Sequence, residues 1–148
     1  MKTLAVAVLV LLNANLFGQV NSLMERQKPF PPGQHTDIST IFGSVERGIT
    51  SSALRLFASY LGPQVHLSIS GQQDSYFSAN QTAAVLQSYF ERLKPVTFAF
   101  TRLQEKGENP YATGRLTYVS KGNRESVQIY VSLAQHDSKW VISQFNVY

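Results

Sequence analysis

Ser126-Val-Gln-Ile-Tyr-Val-Ser-Leu133 places Val127, Ile129, Val131 and Leu133 on one face of an extended chain and Ser126, Gln128, Tyr130 and Ser132 on the other. A period of two is the mark of a half-buried β-strand. The stretch lies within Tyr111 to Tyr148, where three strand-like runs follow one another with only short polar breaks, Lys121-Gly-Asn-Arg124 and Gln135-His-Asp-Ser138. Runs joined so closely form an antiparallel meander, and a sheet that is apolar on one side needs a cover.

The cover is expected upstream. Ile38, Ile41, Phe42 and Val45 recur at helical spacing, with Thr36 or Asp37 placed to cap the first turn and Gly48 to end the helix. A second helix is expected after Ser51 or Ser52, turning Leu54, Phe57, Tyr60 and Leu61 inward until Gly62-Pro63 stops it. Val65, Leu67 and Ile69 then alternate with His66, Ser68 and Ser70 as a strand, Gly71 to Asp74 turns, and Ser75 to Ser78 returns. A third helix, capped by Asn80, carries Leu86, Tyr89, Phe90 and Leu93 as its apolar stripe and leaves at Pro95.

Beyond it, Val96, Phe98 and Phe100 share one face of a strand that runs to about Gln104. Gly114, in the middle of the next strand, marks a bulge or a close backbone approach. In the last strand Trp140 and Ile142 fall on one face and Val141, Phe145 and Val147 on the other, the pattern of a central strand touched from both sides. The expected fold is α+β, three N-terminal helices packed on a curved antiparallel sheet.

With 148 residues, of which 43% are hydrophobic and 15% charged, the composition is that of a globular chain and excludes disorder throughout. Residues 1–18 read as a signal peptide: Lys2 supplies the positive end, Leu4 to Leu12 the apolar run, and Gly18 the small residue before the cut. That run falls well short of the roughly 20 residues that span a bilayer. Residues 19–36, with Pro29, Pro31, Pro32 and Gly33, read as a flexible lead-in, and residues 37–148 as a single domain. The mature protein is expected to be soluble, periplasmic or secreted, with no membrane contact after cleavage. It has no cysteine, so burial alone must hold it, and a chain of about 130 residues hides enough surface for that.

The element order, together with Val65-His-Leu-Ser-Ile-Ser-Gly71, Tyr76 to Leu86, Tyr111-Ala-Thr-Gly-Arg-Leu-Thr117 and Lys139-Trp-Val-Ile-Ser-Gln-Phe-Asn-Val147, resembles the nuclear-transport-factor-2-like fold, also called cystatin-like. More narrowly it resembles a family of small exported Bacteroidetes proteins known as a domain of unknown function. The resemblance covers about Asp37 to Tyr148 and implies a cone, with helices against a concave sheet and a pocket at the open end. It implies no activity, cofactor or catalytic residue, and fold alone fixes no function.

An isomerase-like site would need a carboxylate base and a proton donor converging inside the cone. Every acid, Glu46 included, falls at a cap, in a turn or on a solvated helix face. His66 is the remaining candidate base. Alternation with Val65 and Leu67 points it to water, and only if turned inward would it stand beside Tyr60 or Tyr89 as donor. His35, His66 and His136 share no metal-binding spacing, so no metal is expected, and no cofactor. No Gly-x-Ser-x-Gly elbow and no phosphate loop is present.

Arg92, Lys94, Arg102, Lys106, Arg115, Lys121 and Arg124 outnumber Glu105 and Glu108 in their stretch, but they are spread along strands and turns as on a solvated face, and no nucleic-acid partner is expected. Tyr118, Tyr130, Tyr148 and Trp140 are candidates for a homodimer surface on the sheet or a carbohydrate-stacking patch. The function these residues point to is a non-catalytic binding or protein-interaction module. It would hold an apolar small molecule in a pocket lined by Leu54, Phe57, Tyr60, Tyr89 and Phe98, or a partner on the sheet. The alternative is a small lyase or isomerase with His66 as base.

Overall fold

Alternation in the C-terminal third becomes a long strand, β5 (Asn123–His136), in which Ile129, Val131 and Leu133 are fully buried while Gln128 is exposed. A computed structural model of the chain describes residues 36–148. The signal peptide expected at 1–18, the lead-in up to residue 35, and His35 lie outside the described residues. β5 pairs antiparallel with β4 (Tyr111–Ser120) on one side and β6 (Lys139–Val147) on the other. Both hairpins turn through two residues of positive φ, Lys121 and Gly122 in the first, Asp137 and Ser138 in the second. That is the geometry whose twist matches the flanking strands.

One sheet of six strands results, in the order β2-β1-β6-β5-β4-β3, with β1 at Leu61–Ile69, β2 at Gln73–Phe77 and β3 at Thr97–Gln104. The short upstream hairpin thus joins the meander, and β1 runs parallel to β6. The expected purely antiparallel sheet contains this one parallel pair. β6 lies inside the sheet, between β1 and β5.

The register shifts at three places in the sheet, one of them between Leu61 and His66 where β1 meets β6, and the other two are bulges in antiparallel pairs. In β3 the register shifts between Phe100 and Arg102, opposite Gly114 and Thr113. A Cβ on Gly114 would run into the Ala99 carbonyl oxygen, so only glycine admits that approach. In β6 a second shift leaves Ser143 as the extra residue between Ile142 and Gln144. It reverses the alternation, so that Ile142, Phe145 and Val147 are buried together, where simple counting had separated Ile142 from the other two.

Two α-helices cover the concave face, α1 (Ile38–Thr50) and α2 (Ala79–Leu93). α1 passes through Gly48 because nothing there breaks it; the missing Cβ is needed instead for the Phe57 ring, which lies directly against Gly48. α2 is capped by Ser78 rather than Asn80. The Ser78 hydroxyl accepts the Gln81 N–H at 3.2 Å, and the Gln81 side chain accepts the Ser78 N–H at 3.1 Å, a closed capping box.

The expected second helix is replaced by two 3-10 turns, Leu54–Leu56 and Ala58–Tyr60, and Leu61, Gly62 and Pro63 already belong to β1. Ser52 adopts a left-handed φ of 51°, which ends helical propagation before it starts. Gln87 of α2 then takes over the backbone groups so released, accepting the Leu54 N–H at 3.1 Å and donating to the Ser52 carbonyl at 3.0 Å. Leu54 and Phe57 still reach the core from this irregular segment. Phe145 of β6 lies at its centre, with ring centroids 6.3 Å from both Phe57 and Phe90. Each such buried ring contributes about 1.5–3 kcal/mol of transfer free energy.

Candidate functional site

α2 lies over β1 and β2, and its sequence gives it two adjacent stripes. Leu86, Tyr89 and Phe90 face the core; Ala84, Ser88 and Arg92, one step around the helix, are exposed, with Val85 half-buried between the two stripes. Opposite this second stripe the chain turns from β1 to β2, carrying Gln72 and Gln73. Between them opens a cleft of about 310 Å³ lined by Ile69, Gln72, Gln73, Ala84, Val85, Ser88, Tyr89 and Arg92. Its floor is Ile69 and Val85 and its rim is polar.

Tyr89 belongs to both stripes. Only 7% of it is exposed. Burial raises its phenol pKa above the usual value, the nearby Tyr118 adds to this, and Arg92 pulls the other way. The phenol therefore stays protonated further into the alkaline range than an ordinary tyrosine. The Arg92 guanidinium reaches only neutral acceptors, the Ser88 carbonyl and the Gln72 side-chain oxygen, both at 3.4 Å. Among the described residues it forms no ion pair, and no acid lines the cleft.

The residues singled out in the sequence do not converge. Leu54, Phe57 and Phe98 are packed into the core, Tyr60 is half-buried against it, and Tyr89 alone of the five lines the cleft. His66 lies on the outer face of the sheet, alternating with the fully buried Val65 and Leu67. Its Nε2 is 3.1 Å from Asp74 Oδ1 and its ring 5.0 Å from that of Tyr76. Its strand position, and not any pocket, fixes those partners, and a base–phenol pair with Tyr60 or Tyr89 is not assembled. His136 meets its neighbour Asp137 at 3.4 Å in the last hairpin. Among the described residues no group of three His, Cys, Asp or Glu side chains is placed to hold a metal ion.

The supposed aromatic patch is also divided. Tyr118 packs against the core and donates to Glu125 at 3.0 Å, whereas Tyr130 stacks on Tyr111 at 5.6 Å on the outer face. Beside that stack Asn146 is 5% exposed; its amide donates to the Tyr148 hydroxyl at 3.0 Å, and its Oδ1 has no partner. Trp140 lines a separate cleft with Gly107, Glu108 and Gln135.

Two features, one in the cleft and one at the far edge of the sheet, escaped sequence reasoning. Arg92 registered only as one base in a diffuse excess, although its spacing of four and eight residues from Ser88 and Ala84 puts the three on one helix line. Glu46 was placed on a solvated face, yet it is half-buried and its carboxylate accepts the Phe100 N–H at 3.0 Å, at the β3 bulge. No sequence signal announces a bulge on the partner strand.

Comparison with known proteins follows the fold. The family model described as "Domain of unknown function (DUF4783)" matches residues 42–147. A crystal structure of a DUF4783 family protein from Bacteroides ovatus superposes with a TM-score of 0.63 at 16% identity, covering 78% of this chain and 96% of that one. A second, from Bacteroides uniformis, gives 0.63 at 16% identity over 71% of this chain and 93% of that one. An NTF-2 like protein of unknown function from Shewanella oneidensis gives 0.53 at 14% identity over 75% and 95%. The fold is nuclear-transport-factor-2-like, as the element order implied. No curated protein matches the chain.

Proposed function

Because the chain belongs to the DUF4783 family, a domain of unknown function that dictates no chemistry, we propose its role from geometry: an exported, non-catalytic module that binds a small molecule in the cleft beneath α2. One observation carries this. The cleft has an apolar floor, Ile69 and Val85, a polar rim, and no carboxylate or imidazole among its lining residues. Ligand sites are built this way, and their volumes begin near 300 Å³. Acid–base chemistry requires a titratable group of suitable pKa within hydrogen-bond reach of the substrate. The competing lyase or isomerase needs His66 beside a phenol, and His66 is engaged with Asp74 on the other face. Export rests on the pattern of residues 1–18.

The test is mass spectrometry of small molecules that co-purify with the mature protein and with Ala84→Trp, which fills the cleft from an exposed helix position. Loss of a bound species in the variant supports the reading; identical spectra refute it.

A second reading concerns the outer face, where the half-buried Tyr111–Tyr130 stack favours pairing with another copy of the chain. Sedimentation of the wild type and Tyr130→Arg checks it: a dimer that the substitution dissolves supports pairing, and a monomeric wild type ends it.

A further inference from the structure

We infer that the ligand of this cleft is an amphiphile with a carboxylate head, its head at Arg92 and its apolar body over Ile69 and Val85; the inference rests on the binding role proposed above. Arg92 has five N–H donors, and the structure engages them only through two contacts of 3.4 Å to neutral oxygens. Contacts that long lie beyond the usual range, and a planar guanidinium accepts a carboxylate through two parallel bonds at 2.7–2.9 Å. Among the described residues no carboxylate reaches it. Glu91, next in sequence, points elsewhere and accepts from Gln87. Asp74, beside Gln73, is engaged with His66 on the outer face.

The Tyr89 hydroxyl and the Gln72 amide nitrogen can each donate to a carboxylate but carry no charge, so the preference for an anion rests on Arg92. One effect opposes an anion here: Arg92 lies in the last turn of α2, where the helix dipole is negative. That effect is weak near the surface and screened by salt, whereas a bidentate guanidinium–carboxylate pair is among the stronger hydrogen-bonded contacts. Arg92 decides. A neutral apolar molecule would leave the guanidinium without a counter-charge, and a cation would be repelled.

Calorimetric titration of the mature protein at low salt with decanoate and with 1-decanol separates the possibilities, using the wild type, Arg92→Gln and Ala84→Trp. Arg92 is exposed, so its replacement leaves the fold intact. We expect wild type to prefer decanoate over decanol by roughly tenfold or more, Arg92→Gln to erase that preference, and Ala84→Trp to abolish binding of both. If both probes bind the wild type equally, or Arg92→Gln keeps the preference, the carboxylate inference falls while the cleft stands as a binding site. If neither probe binds the wild type, or Ala84→Trp binds them unchanged, the site itself is refuted and the inference with it.

Discussion

At the β3 edge of the sheet the helix above meets the backbone's spare hydrogen-bonding groups; at the β1–β2 edge the helix above leaves its own donors without charged partners. Over β3, Glu46 of α1 accepts the Phe100 N–H, Thr50 donates to the Phe98 carbonyl at 3.4 Å, and Phe42 packs edge-on against Phe100. A bulged edge strand is otherwise a template for unwanted pairing, and here a carboxylate and a hydroxyl close it. Over β1 and β2, by contrast, α2 presents Ala84, Ser88 and Arg92 to a cleft. At one edge helix side chains satisfy two backbone groups of a strand; at the other they line an open cleft.

The comparison is broken most severely by Gly114→Ala, which drives a Cβ into the Ala99 backbone at the β3 bulge. Chemical denaturation should register a loss of about 2–3 kcal/mol, because backbone cannot step aside as a side chain can. Next comes Gly48→Ala. In an ordinary helix interior this change stabilises by about 1 kcal/mol; against the buried Phe57 ring the sign should reverse, to a loss of about 1–2 kcal/mol. Glu46→Ala leaves the Phe100 N–H unpaired, and a loss near 1 kcal/mol with unchanged decanoate binding would show that the closed end acts on stability alone.

Alkaline pH sharpens the contrast from the other side. The phenols of Tyr89 and Tyr118 both have raised pKa values, the first chiefly through burial and the second through its hydrogen bond to Glu125. A raised folded value means that the stability these groups contribute is complete below about pH 10, the unfolded value, and is lost as pH rises through the folded one. Thermal melts from pH 8 to 11 should therefore fall late in the series, and less so in Tyr89→Phe. Smallest of all, Arg92→Gln at the open end should change stability by no more than about 0.5 kcal/mol. Any larger loss would mean that Arg92 holds the fold together instead of waiting for a ligand.

Much of this molecule was legible as periodicity. The alternation of Val127 to Leu133, the helical stripes of Ile41, Phe42 and Val45 and of Leu86, Tyr89 and Phe90, and the warning given by Gly114 all reappear in the core. Those signals survive because each reports one residue's own environment. The second helix failed for a complementary reason: Leu54, Phe57 and Tyr60 have helical spacing, but a left-handed Ser52 and the amide of Gln87, thirty-three residues from Leu54, favour two short turns. Likewise the bulge at Ser143 overturned the faces of β6, since an extra residue is visible only against its partner strand. Large apolar residues at inward positions are what a core is made of, and Leu54, Phe57 and Phe98, expected to line a pocket, are buried in it.

By itself the sequence determined the α+β class and most of the residues that lie inside, because hydrophobic burial is written residue by residue into local pattern. Tertiary structure alone decided that His66 turns outward to Asp74, that Glu46 closes one edge, and that Arg92, Tyr89 and Gln72 meet around one cleft. Hydrogen bonds and charges act through the few ångströms between groups far apart in the chain, and only the packed sheet sets those distances.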